Sequence, residues 1–98
     1  MARRPVLDPE TYIAADDVLV TEFGNETVLL NLQDGVYYGL EDTGALVWKL
    51  LRQPVSVTHI RDAVVAAYDV DPARCERDVR ALISHLADRQ LIKRRDDR

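Results

Sequence analysis

At 98 residues, 47% of them hydrophobic, the chain makes one domain around one modest core and leaves no length for a second. Charged residues make up 31% of the chain, mixed in sign, with a net charge of −4. That balance speaks against a disordered chain and against a surface built to hold nucleic-acid phosphates. No apolar run approaches the ~18 residues of a membrane span, and the lone Cys75, with only His59 and His85 beside it, excludes an internal disulfide and makes metal chemistry improbable.

The first ten residues, MARRPVLDPE, hold two prolines and no periodicity, so a flexible arm is expected over residues 1–17, with Thr11 to Ala14 able to extend. Arg3 and Arg4 run into Pro5-Val6-Leu7-Asp8 without the apolar core of a secretory signal, which makes the cytoplasm the expected compartment. Val18 to Phe23 reads as a first strand; its apolar residues do not alternate cleanly, and its inward face stays open. Gly24-Asn25 supplies a turn. In the second strand Val28, Leu30 and Leu32 recur at every second position and are expected to face inward, with Asn31 and Gln33 on the other face. Asp34-Gly35 offers the positive-φ residue of a hairpin turn, after which Val36, Tyr38 and Leu40 resume the alternation. The result is a three-stranded antiparallel meander over roughly residues 18–40.

Asp42 or Thr43 then offers a capping oxygen, and Leu46, Val47, Leu50 and Leu51 repeat with a helical period. Trp48 within this helix reads as structural. Gln53-Pro54-Val55 breaks the pattern, and Ser56 caps a second helix with Val57, Ile60, Val64, Ala67 and Tyr68 on one face. Asp71-Pro72 is a stronger start signal, the Asp as N-cap and the Pro where its missing N–H is no loss. Cys75, Val79, Leu82, Ile83 and Leu86 form the apolar stripe of this third helix. Leu91 and Ile92 are expected to fold back as a short strand or extended tail covering the core, and residues 93–98 to fray. Three strands followed by three helices is an α+β plan, that of a winged helix-turn-helix, with the domain expected over residues 18–92.

Catalysis finds no support. Cys75 has no adjacent base and reads as buried on its stripe, and the two histidines sit on different helices without a triad around them. No cofactor motif is present, so the chain reads as a binding protein rather than an enzyme.

The run GVYYGLEDTGALVWKLL, preceded by VLLNL and followed by VSVTHIRDAVVAAYDVDP and CERDVRALISHLADRQLI, resembles the PqqD family. These are small domains that bind the leader of precursor peptides in ribosomal, post-translationally modified peptide pathways. The resemblance spans about residues 18–92. It implies that a leader peptide adds as a strand to the edge of the third strand, in the cleft beside the third helix; such pairing supplies affinity through main-chain hydrogen bonds. Carried over, the site comprises Gly35, Val36, Tyr37 and Tyr38 on the strand and Arg74, Cys75, Asp78, Val79 and Leu82 on the helix, with Val28 and Leu30 as an apolar floor. Tyr37 and Tyr38 point to opposite faces, and which one meets the groove stays open. Arg74 and Arg77 are candidates to hold an acidic guest residue.

Within the family the chain looks most similar to the discrete recognition proteins of lasso-peptide pathways, which implies a cysteine-protease-like leader peptidase and an ATP-dependent cyclase as partners. The alternative is a carrier in pyrroloquinoline quinone biosynthesis. Two further readings come from other classes. One is a winged-helix DNA-binding regulator, disfavoured by the acidic balance; the other is a module pairing with itself edge to edge through residues 36–40.

Overall fold

In the computed structural model, which describes residues 10–95, two three-stranded antiparallel sheets and three helices share one core. The fold is α+β, as expected. The first strand, β1, spans Thr11–Ala14; β2 (Val18–Phe23), β3 (Glu26–Asn31) and β4 (Tyr37–Glu41) form a meander in that order. Gly24 and Gly35 stand at positive φ in its two turns. The second turn is longer than a two-residue hairpin: the Gly35 N–H donates to the Asn31 carbonyl at 2.8 Å and the Val36 N–H to the Asp34 carboxylate at 2.9 Å. Val36 therefore belongs to the turn, and the strand begins at Tyr37.

The helices are α1 (Thr43–Leu50), α2 (Val57–Tyr68) and α3 (Pro72–Asp88). Ser56 Oγ accepts the His59 N–H at 3.1 Å, and Asp71 Oδ2 accepts the Arg74 N–H at 2.9 Å with Pro72 opening the helix, so both expected caps form. On α2, Val57, Ile60 and Val64 are buried, whereas Ala67 and Tyr68, expected on the same face, are exposed because the last turn overhangs the core. The stripe of α3 buries Cys75, Val79, Ile83 and Leu86 and leaves Leu82 half-buried. Trp48, 2% exposed, lies in the common core with Leu29, Val47, Leu51, Ile60 and Leu91.

Asp42 does not cap α1 with its side chain. It adopts φ 50 and ψ −114, a region that glycine tolerates and that strains a residue carrying a Cβ by about 1–3 kcal/mol. Asp42→Gly is accordingly expected to stabilise the fold by about 1 kcal/mol, the gain being trimmed by the extra freedom glycine gives the unfolded chain. Thermal unfolding of the two proteins checks this, and an unchanged or lower midpoint would mean that the turn is not strained.

Two expectations need correction. The flexible arm expected over residues 1–17 and the fraying expected over 93–98 give way to a second sheet: β1 pairs with β6 (Ile92–Arg95), Thr11 opposite Arg95 and Ala14 opposite Ile92, and on its other side with β5 (Val55–Ser56). Tyr12 and Ala14 pack on the core, which offsets the ordering of the two chain ends. Residues 1–9 and 96–98 of those expected segments lie outside the described residues. The second correction concerns β3. Its buried residues are Thr27, Leu29 and Asn31, while Val28 and Leu30 are half-buried on the opposite face and Leu32 is exposed. Asn31 turns inward because its side chain has work there: Nδ2 donates to the Arg89 carbonyl at 3.0 Å and Oδ1 accepts the Gln33 N–H at 2.8 Å.

Candidate functional site

The meander ends on β4, which pairs with β3 and, among the described residues, with no other strand. Which of its backbone groups face outward follows from one bond. The Asn31 N–H donates to the Val36 carbonyl at 3.1 Å. Bonded pairs alternate along an antiparallel ladder, so Leu29 with Tyr38 and Thr27 with Leu40 are the next bonded pairs. The N–H and C=O groups of Tyr37, Gly39 and Glu41 consequently point away from β3, to the open edge. A chain laid along that edge finds donors and acceptors at every second residue.

Beyond the edge stands α3, and the space between them is a groove of about 690 Å³. Gly39, Leu40 and Glu41 line it from β4, Thr43 and Gly44 from the start of α1, Val64 from α2, Val70 and Asp71 from the turn before α3, and Arg74, Cys75, Asp78, Val79 and Leu82 from α3 itself. The spacing of the α3 residues explains the wall they form: positions i, i+1, i+4, i+5 and i+8 share one helical face. Their apolar members make the floor, and the Asp78 carboxylate borders it on the helix side. Asp71 is already engaged as the cap of α3.

All five α3 residues expected in the site thus lie together in one groove. The strand residues divide. Tyr38 is on the inner face, half-buried against the core, with the Arg89 guanidinium carbon 6.0 Å from its ring centre, a loose cation–π approach. Tyr37, 68% exposed, is on the outer face of the sheet opposite Leu30. Neither ring lines the groove; Gly35 and Val36 sit in the turn beyond its end. Val28 and Leu30, expected to floor the pocket, lie on the outer face with Tyr37, because β3 turns Leu29 inward instead. Arg77 is exposed and outside the lining.

Lining residues not anticipated are Glu41, Thr43, Gly44, Val64 and Val70; Gly39 and Leu40 fall within the edge strand expected over 36–40. One signal for them was in the chain: Gly39 and Gly44 bracket the strand-to-helix junction. A Cβ at Gly44 would come into van der Waals contact with the Leu40 side chain, at 3.4 Å. Cys75, 5% exposed, sits in the floor with its Sγ 3.9 Å from the Arg61 carbonyl. Burial, helped by the nearby Asp78 charge, pushes its thiol pKa up, the opposite of an activated nucleophile. Among the described residues no cluster of His, Cys, Asp and Glu is arranged to hold a metal ion, and no helix is long and apolar enough to cross a membrane.

A family model described as coenzyme PQQ synthesis protein D (PqqD) matches residues 26–92. Among solved structures, TbiB1 in complex with the TbiA(beta) leader peptide superposes with a TM-score of 0.79 at 36% identity, covering 87% of this chain and 99% of that one. Lasso peptide synthetase B1, complexed with the leader peptide, gives 0.74 at 26% identity over 84% and 96% of the two chains. The PqqD truncation of Methylobacterium extorquens PqqCD, a stand-alone recognition element of ribosomally synthesized and post-translationally modified peptides, gives 0.69 at 25% identity over 85% and 88%. No curated protein sequence matches the chain.

Proposed function

The chain belongs to the PqqD family, and from that premise we propose that it is a leader-recognition element: it binds the leader region of a precursor peptide as an added strand on β4 and delivers it to separate modifying enzymes. Its role is binding, not catalysis. The observation that carries the reading is the open edge of β4 directly beside the groove under α3, backbone donors on one side and an apolar floor on the other. Main-chain pairing supplies affinity, and the floor of Leu40, Val64, Val79 and Leu82 reads alternate side chains of the guest. The contact residues are then Tyr37, Gly39 and Glu41 along the edge, with Arg74, Cys75, Asp78, Val79 and Leu82 opposite. Gly35, Val36 and Tyr38 support the strand. Arg74, at the rim, suits an acidic guest residue.

The architecture is that of a winged helix-turn-helix in which α3 walls a peptide groove instead of entering a DNA groove. Likeness to lasso peptide synthetase B1, at 26% identity, supports the lasso-peptide type, with a cysteine-protease-like leader peptidase and an ATP-dependent cyclase as partners in the cytoplasm. The description of the matching family favours the second reading, a carrier in pyrroloquinoline quinone biosynthesis. In either pathway the product of binding is proximity, a tethered substrate reaching millimolar effective concentration on a short connection.

Titrating the labelled leader of its precursor peptide into the purified protein tests the reading. Saturation is expected at about micromolar concentration or below; a folded protein that binds nothing at tens of micromolar would end it. Cys75 provides a footprint. Because its thiol pKa is raised, alkylation by iodoacetamide is expected to accelerate only at a more alkaline pH than for an ordinary thiol, and bound leader should slow it by about tenfold through occlusion of the floor. Equal alkylation rates with and without saturating leader would place the guest elsewhere.

A further inference from the structure

The groove stops short of Tyr38 and Arg89, which meet beyond its end. β4 and α3 run in opposite directions beside one another: Gly39 to Glu41 share the groove with the first half of the helix, whereas Tyr38, nearer the start of the strand, faces Arg89 just past the helix end. Arg89 is held there twice. Its carbonyl accepts the Asn31 amide at 3.0 Å, which fixes its backbone against β3, and its guanidinium carbon lies 6.0 Å from the centre of the Tyr38 ring. That loose approach leaves the N–H donors unspent. Among the described residues the arginines in ion pairs are Arg52, Arg61, Arg80 and Arg94, and Arg89, exposed, is in none. An exposed arginine is ordinary; its position here is not. A guest strand on the open edge lies about 4.8 Å from β4, and its side chains alternate between the two faces of the extended sheet. The guest residues beside Tyr38 and Leu40 therefore both point inward and are two positions apart, whichever way the guest runs. The one beside Leu40 lands on the apolar floor. The one beside Tyr38 lands next to the ring that Arg89 covers.

We propose that Arg89 is a further guest-binding residue and that it takes a carboxylate: an aspartate or glutamate of the leader, two positions from the apolar side chain seated beside Leu40. The inference rests on the leader-recognition reading and adds to it a charge and a spacing. A guanidinium presents its donors as a planar fork that fits a carboxylate with two parallel hydrogen bonds. The Asn31 bond and the Tyr38 ring hold that fork in place before the guest arrives, so less freedom is lost when the pair forms. The pair also fixes the register. A slip of one residue turns the guest carboxylate to the outer face of the sheet, and a slip of two sets it on the apolar floor, where nothing repays its desolvation. Main-chain pairing alone accepts any of these registers; the Arg89 contact accepts one.

The test titrates wild type, Arg89→Met and Arg89→Lys with the labelled leader of the precursor peptide, and with leader variants in which each aspartate or glutamate is changed in turn to asparagine or glutamine. Methionine keeps a long side chain over the Tyr38 ring and removes the charge. Neither variant alters the carbonyl that Asn31 holds, and thermal unfolding confirms that both fold. Arg89→Met is expected to weaken the unaltered leader by about fivefold or more and to flatten the salt dependence of binding, and Arg89→Lys to recover part of the loss. One leader substitution should cost about as much in wild type and nothing further in Arg89→Met, which is the coupling of a direct pair. The carboxylate so identified should stand two positions from an apolar leader residue whose change to alanine also weakens binding. Unchanged affinity of Arg89→Met, or a loss that simply adds to that of every leader substitution, overturns the inference and leaves Arg89 as a brace for Tyr38. Coupling to a carboxylate at another spacing overturns the register. Failure of the wild type to bind leader at all overturns the leader-recognition reading instead.

Discussion

Gly39→Pro is expected to weaken leader binding by at least about tenfold while leaving the protein folded. The Gly39 N–H points to the open edge, so replacing it removes nothing from the ladder with β3, and edge strands tolerate proline where the N–H faces outward. A guest strand loses that donor and meets the pyrrolidine ring where its own carbonyl would lie. One hydrogen bond contributes about 0.5–1.5 kcal/mol net, and displacement of the guest by the ring adds to it, so a loss of at least about tenfold, roughly 1.4 kcal/mol, is expected. Gly39→Ala is the matched control. It adds the same Cβ, which would stand 3.1 Å from Glu26 Oε2, the far end of a flexible side chain, but keeps the N–H. Fluorescence anisotropy with labelled leader reads both variants. If Gly39→Pro binds as well as Gly39→Ala, the guest does not add to this edge as a strand.

Asn31→Ala is expected to destabilise the fold by about 2–3 kcal/mol. Asn31 is 2% exposed, and its amide joins two backbone segments: the carbonyl of Arg89, just past the end of α3, and the N–H of Gln33 in the turn before β4. Alanine leaves both groups without partners in a part-buried place, a loss of about 2–3 kcal/mol. For a domain of this size that corresponds to a fall of roughly 10 °C in the unfolding midpoint. Leader affinity should fall as well, because this side chain ties the sheet carrying β4 to the end of the helix opposite it. Denaturant titration gives the stability; a change below about 0.5 kcal/mol would show that water replaces the amide without penalty.

Much of the local structure was legible from residues close together in the chain. Ser56 and Asp71-Pro72 start α2 and α3 as their chemistry requires, since a cap is a bond between residues three apart. Gly35 takes the positive φ that its place after Asp34 implied. The α3 side of the groove was readable for the same reason: one helical face collects Arg74, Cys75, Asp78, Val79 and Leu82 whatever lies opposite. A capping oxygen was expected from Asp42 or Thr43; Asp42 holds the cap position at φ 50 and ψ −114, away from the extended backbone of a side-chain cap, and makes no such bond.

What the amino-acid order determined by itself was the three strands of the β2–β3–β4 meander, the three helices and the kind of surface α3 presents. Tertiary structure alone decided the face of β3. In TVLLN both sides of the strand are apolar, Leu29 on one and Val28 and Leu30 on the other, so alternation does not choose between them; the Asn31 bond to Arg89, 58 residues away, does. It also decided that Thr11–Ala14 and Ile92–Arg95 become neighbouring strands, because pairing across 84 residues depends on where the helices bring the chain ends and leaves no mark on either segment alone.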